Sequence, residues 1–159
     1  MILHGDAHGS LQQQPLDSAD AGLREALQLA NLPADDLDED GRSFFRFTHQ
    51  GETVGYGGLE PYGDHALLRS VVVQPAQRGK GYGEAITQRL LDQAARDGAR
   101  TVYLLTESAT SFFEHLGFAK VDRATAPVAI LNTRQAASLC PASAALLARS
   151  TTGGTHVHL

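Results

Sequence analysis

The chain has 159 residues, of which 42% are hydrophobic and 19% charged, and this composition predicts one soluble globular domain rather than a disordered chain. The net charge of −5 argues against nucleic-acid partners, because that binding depends on Lys and Arg neutralising phosphates. Cys140 is the only cysteine, which excludes an internal disulfide and a cysteine-cluster zinc site. No apolar run reaches the length of a bilayer span, and residues 1–10 lack the basic start and apolar block of a secretory signal. We therefore expect a cytoplasmic protein with no membrane partner.

The first half of the chain is predicted to alternate strands with one helix. Leu23, Ala26, Leu27 and Ala30 recur at helical spacing, and the acidic run 35–40 is typical of a solvated loop or helix end. Strands are predicted over residues 11–16, 43–49, 53–59 and 66–73, with the second and third forming a hairpin around 50–52. In the third of these strands, the glycines at 55, 57 and 58 either weaken the strand or mark a close backbone approach.

The second half predicts a parallel crossover followed by smaller elements. A helix reaches about residue 97, and the short apolar run 101–105 is typical of a strand buried on both faces, so 67–105 forms a strand–helix–strand unit. Beyond it we predict helices over 108–115 and 127–138 and strands over 118–122 and 142–150. Residues 1–10 and 151–159 are expected to be flexible tails around a single domain at 11–150.

The most informative stretch is a glycine-rich turn between the strand ending at 73 and the next helix. Gly79, Gly81 and Gly83 let backbone amides approach an anion, and a helix N-terminus adds unpaired donors and a positive dipole end. Arg78 and Lys80 add positive charge, so the pattern suits a pyrophosphate. It is not a Walker loop, because glycine follows Lys80, and its glycine spacing is not that of the dinucleotide fingerprint. Taken alone, such a turn fits a purely structural loop equally well.

Two motifs together resemble the GNAT acetyltransferase superfamily. Arg78-x-x-Gly81-x-Gly83 resembles its R/Q-x-x-G-x-G/A loop, and residues 112–118 (FFEHLGF) resemble its later helix-to-strand motif. The resemblance covers roughly residues 53–150. It implies an α/β (α+β) fold with a mixed, mostly antiparallel sheet and helices on both sides, and transfer of acetyl from acetyl-CoA directly to an amine, with no metal.

The resemblance also implies which residues hold the cofactor. Backbone groups of Val71 and Val73 are expected to pair with pantetheine and hold the thioester carbonyl, although their side chains also suit core packing. The pyrophosphate is expected to bind the following loop and helix start: Arg78, Gly79, Lys80, Gly81, Tyr82, Gly83 and Glu84.

A narrower resemblance concerns the acceptor. Residues 58–60 (GLE), 67–70 (LLRS), 122–123, 133 and 139–144 resemble the small arsenic-resistance-associated (ArsN-type) N-acetyltransferases. The end of the chain is similar, more loosely, to the acetyltransferase domain of N-acetylglutamate synthases. Both imply a small amino-acid-like acceptor, and the first implies arsinothricin or phosphinothricin and hence antibiotic detoxification. By this resemblance Thr133 and Ser143 contact the substrate; the alternative is capping or edge polarity.

The catalytic base is an open question in this sequence. Where some family members carry a Glu on the central strand, this chain has Leu67. Strand alternation predicts Arg69 on the same face as Leu67, Val71 and Val73, where it would grip a substrate carboxylate unless an acidic neighbour takes it as a salt bridge. Glu60 is the best remaining base, acting through water, unless it is an ordinary surface carboxylate at a strand end.

Other chemistry is weaker or missing. The Tyr that often protonates the leaving thiolate in this family is replaced by Phe113, which leaves the acid unassigned. Cys140 lacks the signature of a nucleophile and is expected to be a structural thiol, and the paired His156 and His158 offer too few ligands for a stable metal site. The alternative functions are acetylation of a protein N-terminus or another amine, and a catalytically weak CoA-binding regulatory module. Homodimers are common in the superfamily, but nothing here specifies an interface.

Overall fold

A computed structural model describes residues 11–133, 135–139 and 143–151. The predictions for Cys140, for residues 1–10 and for the tail beyond Thr151 lie outside these residues. Within them the strands are β1 (Gln12–Leu16), β2 (Ser43–His49), β3 (Glu52–Tyr62), β4 (His65–Val73), β5 (Thr101–Thr106), β6 (Ala119–Lys120) and β7 (Ala145–Ser150). The α-helices are α1 (Ala21–Leu29), α2 (Tyr82–Arg96), α3 (Thr110–His115) and α4 (Val128–Leu131).

The strands form one mixed sheet in the order β1-β2-β3-β4-β5-β7-β6. β1–β2, β2–β3, β5–β7 and β6–β7 are antiparallel, whereas β4 and β5 are parallel with His65 opposite Thr101. The predicted α/β class, the mostly antiparallel mixed sheet and the parallel crossover through α2 are confirmed.

The described residues fall into two compact units, the first being the chain up to Leu59 together with Ser70–Leu90. Its core includes α1, where the carboxylate of Asp20 caps the helix by accepting from the amide of Leu23 at 3.0 Å. Leu23 and Leu27 are fully buried in an apolar cluster with Phe44, Tyr56 and Val72. The apolar positions predicted from helical spacing therefore face this core.

The β2–β3 hairpin is tighter than predicted. Gln50 and Gly51 have φ of 52° and 84°, which is the left-handed pair that a two-residue turn needs, and His49 already pairs with Glu52. A Cβ on Gly55 would overlap the carbonyl oxygen of Val72 and lie 2.7 Å from Cδ1 of Ile86. Of the two alternatives for the β3 glycines, the close backbone approach is confirmed at Gly55.

The second unit contains Glu60–Arg69 and the described residues from Leu91 onward. Its apolar cluster is formed by Leu67, Ile130 and Leu146, with Tyr62 and Tyr103 packed against it. β3 extends to Tyr62, further than the predicted end at 59. Its pairing with β2 stops at Leu59, so the missing amide of Pro61 breaks no bond to that strand.

Two predicted elements of the second unit are wrong in extent. The helix predicted over 127–138 is divided into α4 and a π-helical turn, Gln135–Leu139, because the hydroxyl of Thr133 accepts from the amide of Ala136 and competes with regular helical bonding. The strand predicted over 118–122 is only the two-residue β6, because Asp122 caps a short 3₁₀ turn instead.

Candidate active site

The glycine turn after β4 has the backbone geometry that its sequence predicts. A 3₁₀ turn, Pro75–Gln77, follows the strand, and Gly79 and Gly81 then adopt φ of 81° and 84°. This is the left-handed region, which glycine enters without a steric penalty. Gly79 is exposed, and a Cβ added there would meet no atom within 4 Å. The turn therefore presents its backbone at the surface.

The start of α2 supplies hydrogen-bond donors. The amide of Ala85 donates to the carbonyl of Gly81 at 3.2 Å, so the amides before it precede the regular helical ladder. Thr87 is fully buried and its hydroxyl donates to the carbonyl of Gly83 at 2.8 Å, which holds the first turn. Tyr82 is buried with its ring 5.9 Å from that of His49. The first turn of α2 is thus held by the buried side chains of Tyr82 and Thr87, while the loop before it is exposed.

The charged side chains of this loop are exposed, and their hydrogen bonds include two to neighbouring residues in the sequence. Nε of Arg78 donates to the carbonyl of Val73 at 3.4 Å, and Nζ of Lys80 donates to Oε1 of Gln77 at 3.2 Å. Glu84 is exposed in the first turn of α2, where its charge interacts favourably with the positive end of the helix dipole. Val71 and Val73 are half-buried on either side of the buried Val72.

A second polar group lies inside the other unit, on β3 and β4. Nη1 of Arg69 donates to Oε2 of Glu60 at 2.7 Å, and both side chains have 0% exposure. The hydroxyl of Tyr62 donates to Oε1 of Glu60 at 2.5 Å. Both carboxylate oxygens therefore accept hydrogen bonds, and Tyr62 is the half-buried member of a network whose other two members are shielded from water. We call these three residues the Glu60 network.

The remaining predicted acceptor residues lie near the end of the second unit. Thr133 is buried, and its hydroxyl donates to the carbonyl of Ile130 at 2.7 Å and accepts from Ala136 at 3.2 Å. These are the capping bonds that the sequence left as the alternative to substrate contact. Ser143 is exposed, next to a part of the chain outside the described residues.

The family of this chain follows from its similarity to known proteins. Residues 10–118 match the Acetyltransferase (GNAT) family, which is more than half of the chain. The chain belongs to the GNAT acetyltransferase family.

Individual relatives are similar over shorter stretches or at lower identity. An amino-acid acetyltransferase from Mycobacterium tuberculosis is 42% identical over 74 residues, which are 45% of this chain and 41% of that protein. N-acetylglutamate synthase from Neisseria gonorrhoeae, solved with coenzyme A and L-arginine, has a TM-score of 0.71 at 17% identity over 88% of this chain and 33% of its own. The Mycobacterium tuberculosis protein Rv2747, solved with CoA and NLQ, has a TM-score of 0.66 at 19% identity over 87% of this chain and 98% of its own. The structural matches show a common fold, and the chain spans less than half of the first two relatives.

Within this GNAT fold, the two family positions that depart from the usual pattern are apolar. Leu67 is 1% exposed in the core cluster of its unit. Phe113 packs its ring against those of Phe112 and Phe118, at centroid distances of 5.0 and 5.7 Å. Neither position offers a proton donor or acceptor. The carboxylate and the phenol that the sequence lacks at these positions are therefore also missing from the structure there.

The regular alternation of side chains along β4 is disturbed at Ser70, the residue after Arg69. Ser70 has φ of 61°, a left-handed conformation within β4, so the prediction that Arg69 shares a face with Val71 and Val73 does not follow from regular alternation. The salt bridge considered as the alternative for Arg69 is present, with Glu60 as its partner. Glu60 is buried, so the surface alternative for it is wrong; its role as base stays a prediction.

Sequence reasoning missed two residues. Tyr62 lies beyond the predicted strand end at 59, although it follows Glu60 by two residues, which is the spacing of one strand face. Arg123 donates from Nη2 to the carbonyl of Ala144 at 3.0 Å and from Nη1 to that of Ala136 at 3.4 Å, so it ties together the two sides of the segment after α4. No sequence signal could have found those carbonyl contacts.

Among the described residues, no three His, Cys, Asp or Glu side chains are grouped as a metal site would require. None of the helices in the same ranges is long and apolar enough to cross a membrane.

Proposed function

We propose that this protein is an acetyl-CoA-dependent N-acetyltransferase that acetylates the amine of a small amino-acid-like molecule. The observation that carries the proposal is the exposed turn at Gly79 and Gly81, which leads into the donor-rich start of α2 in a GNAT chain. The loop amides and the charges of Arg78 and Lys80 would hold the pyrophosphate of CoA. The backbone of Val71 and Val73 would hold the pantetheine arm and the thioester carbonyl.

The reaction is a direct substitution at the thioester. The neutral amine attacks the carbonyl carbon, a C–N bond forms, the C–S bond breaks, and CoA leaves as the thiolate while the nitrogen loses a proton. The loop and strand contribute by fixing the thioester where the amine can reach it, which replaces an encounter in solution by a reaction within one complex.

The acceptor is proposed to carry a carboxylate beside its amine. Two relatives are named for amino-acid chemistry, an amino-acid acetyltransferase and an N-acetylglutamate synthase. Arg69 supplies a buried cation for which such a carboxylate is a suitable ligand, and Thr133 and Ser143 are the further contacts we propose. Following the ArsN-type resemblance, phosphinothricin and arsinothricin are the acceptors proposed for detoxification. Dimerisation and cytoplasmic location stay predictions.

A specific observation also favours a second candidate, a CoA-binding module with little turnover. Leu67 and Phe113 are both buried and apolar, at positions where some family members have a carboxylate and where the family often has a tyrosine. Acetylation of a protein N-terminus is the third alternative, and it needs no carboxylate-binding group.

Release of free thiol from acetyl-CoA tests these candidates against one panel of amines. The panel contains L-glutamate, phosphinothricin, arsinothricin, a polyamine and a short peptide. Turnover that is selective for the three amino acids supports the proposal. Turnover with the peptide or polyamine alone refutes the acceptor class, and CoA binding without turnover by any amine favours the regulatory module.

The phosphate loop has a matched pair of variants at Gly79. Asp and Asn are of similar size and both tolerate the left-handed conformation, and the position has room for either side chain. If the loop binds pyrophosphate, Gly79→Asp raises the KM for acetyl-CoA by on the order of tenfold, whereas Gly79→Asn has a much smaller effect. Equal KM values for the two variants would exclude the loop as the pyrophosphate site.

A further inference from the structure

The Glu60 network is a costly arrangement that fold stability alone does not require. Removing a carboxylate and a guanidinium from water is unfavourable, and apolar residues of similar volume often serve a core as well or better. Yet Glu60 and Arg69 both have 0% exposed side chains, and Tyr62 adds a third polar group to the same cluster. In some proteins such a pair is retained because it confers specificity rather than stability.

We infer that Glu60 and Tyr62 are positioning residues that orient Arg69 for the carboxylate of the acceptor, and that Glu60 is not the catalytic base. The inference rests on the proposed function, because it takes an amino-acid-like acceptor as given. It assigns a role to Tyr62, which neither the sequence nor the family resemblance had singled out.

The contacts of Glu60 argue against a base. Its two oxygens already accept from Arg69 and from Tyr62, at 2.7 and 2.5 Å. A base needs an oxygen within reach of the amine or of a bridging water, and here both oxygens are held by protein groups. The network therefore favours a carboxylate that holds Arg69 in place.

The same contacts suit a positioning role. A guanidinium is planar, and its two-pronged binding of a carboxylate depends on the orientation of that plane. Nη1 of Arg69 is fixed by Glu60, and Glu60 is fixed at its other oxygen by Tyr62. The ring of Tyr62 packs on the cluster of Leu67 and Ile130, so the chain of contacts ends in rigid core.

The decisive experiment compares three acceptors that differ in one group each. L-Glutamate has both carboxylates, L-isoglutamine lacks the α-carboxylate and L-glutamine lacks the γ-carboxylate. KM and kcat are measured by thiol release for the wild type, Glu60→Gln and Tyr62→Phe. Glu52→Gln is the matched control for the first variant, because Glu52 is exposed at the start of the same strand. Tyr103→Phe is the control for the second, because Tyr103 packs on the same cluster.

If Arg69 is positioned by the network, both variants raise the KM for glutamate by roughly tenfold to a hundredfold and change kcat by less than about threefold. Neither variant changes the KM for the amide that lacks the carboxylate bound by Arg69. The two control variants change no KM. A structural role would instead raise the KM of all three acceptors together.

Three results would overturn the inference. One is an equal effect on all three acceptors. Another is a lower KM for glutamate in Glu60→Gln, which would mean that Glu60 competes with the substrate for Arg69. The third is a loss of kcat in Glu60→Gln together with a changed pH profile, which would identify Glu60 as the base.

Folding and function can be separated. Tyr62→Phe keeps the ion pair, so it remains informative if Glu60→Gln does not fold. The paired variant Glu60→Leu/Arg69→Met removes both charges and is expected to fold, and any thiol release that it retains should no longer distinguish glutamate from its amides. A wild type that does not distinguish the three acceptors refutes the proposed acceptor class and the inference with it, whereas a selective wild type with insensitive variants refutes the inference alone.

Discussion

The buried pair of Glu60 and Arg69 makes a quantitative prediction about stability. Both side chains are fully shielded and their charged atoms lie 2.7 Å apart. Removing one partner leaves an uncompensated charge inside the protein, which costs about 3–5 kcal/mol. Glu60→Leu and Arg69→Met are each expected to lose this amount, whereas the double variant, which buries only apolar groups, should be near the wild type or above it.

These losses are large compared with the stability of a domain, which is about 5–15 kcal/mol in total. For a chain of this size, a loss of about 1 kcal/mol in the free energy of unfolding lowers the melting temperature by about 2–4 °C. Each single variant should therefore melt roughly 6–20 °C below the wild type. Tyr62→Phe, which removes one hydrogen bond from the buried carboxylate, should lose less, about 1–3 kcal/mol.

Urea denaturation of the four proteins, followed by circular dichroism, measures the cycle directly. The interaction energy is the difference between the double variant and the sum of the two single variants, and it should be about 6–10 kcal/mol, because each single variant loses about 3–5 kcal/mol and the double variant loses almost nothing. Additive losses would mean that the two charges do not compensate each other. In that case the argument from buried charge is wrong, and the positioning role of Glu60 loses its physical basis.

Three further predictions concern the glycines of β3, Tyr103 and the pH dependence of turnover. Gly55→Ala should destabilise the protein more than Gly57→Ala in the same urea assay, because its new methyl group meets the rigid backbone of Val72, whereas that of Gly57 meets the end of the Leu90 side chain; equal losses would contradict this. Burial raises the pKa of Tyr103, so above pH 10 the unfolded chain loses its proton first and stability falls; Tyr103→Phe should lose less stability between pH 9 and 11. Finally, kcat/KM should rise with pH up to the pKa of the acceptor amine, and this rise should be unchanged in Glu60→Gln unless Glu60 is the base.

The fold could be predicted largely from local pattern and resemblance. The apolar spacing of α1, the glycine turn before α2 and the short apolar β5 each carry a local signal that matches the structure. The errors fall where side chains compete with backbone bonding, as Thr133 does within the helix predicted over 127–138. Such competition depends on which hydrogen bonds tertiary packing leaves available, and residue spacing does not record that.

The candidate site, too, could be predicted only in part. The turn at Gly79 and Gly81 was predictable because glycine adopts the left-handed conformation without a steric penalty, so closely spaced glycines after a strand indicate such a turn. The pairing of Glu60 with Arg69 was open in the sequence, because a charged residue on a strand does not reveal whether its neighbour is water or another side chain. Ser70 shows the limit of periodicity, since one left-handed residue interrupts the alternation that orients all those after it.

The apolar Leu67 and the paired Glu60 together argue that the proposed acetyl transfer relies little on a general base. A primary amine with a pKa a few units above neutral costs only about 1.4 kcal/mol per unit to deprotonate. Holding the amine and the thioester in reacting geometry can contribute about 7–11 kcal/mol, which exceeds that cost. A precisely oriented Arg69 would contribute by fixing the acceptor through its carboxylate and leaving its amine to lose a proton to water. On this account, the charge that matters at the acceptor site is the one that orients the substrate rather than one that accepts its proton.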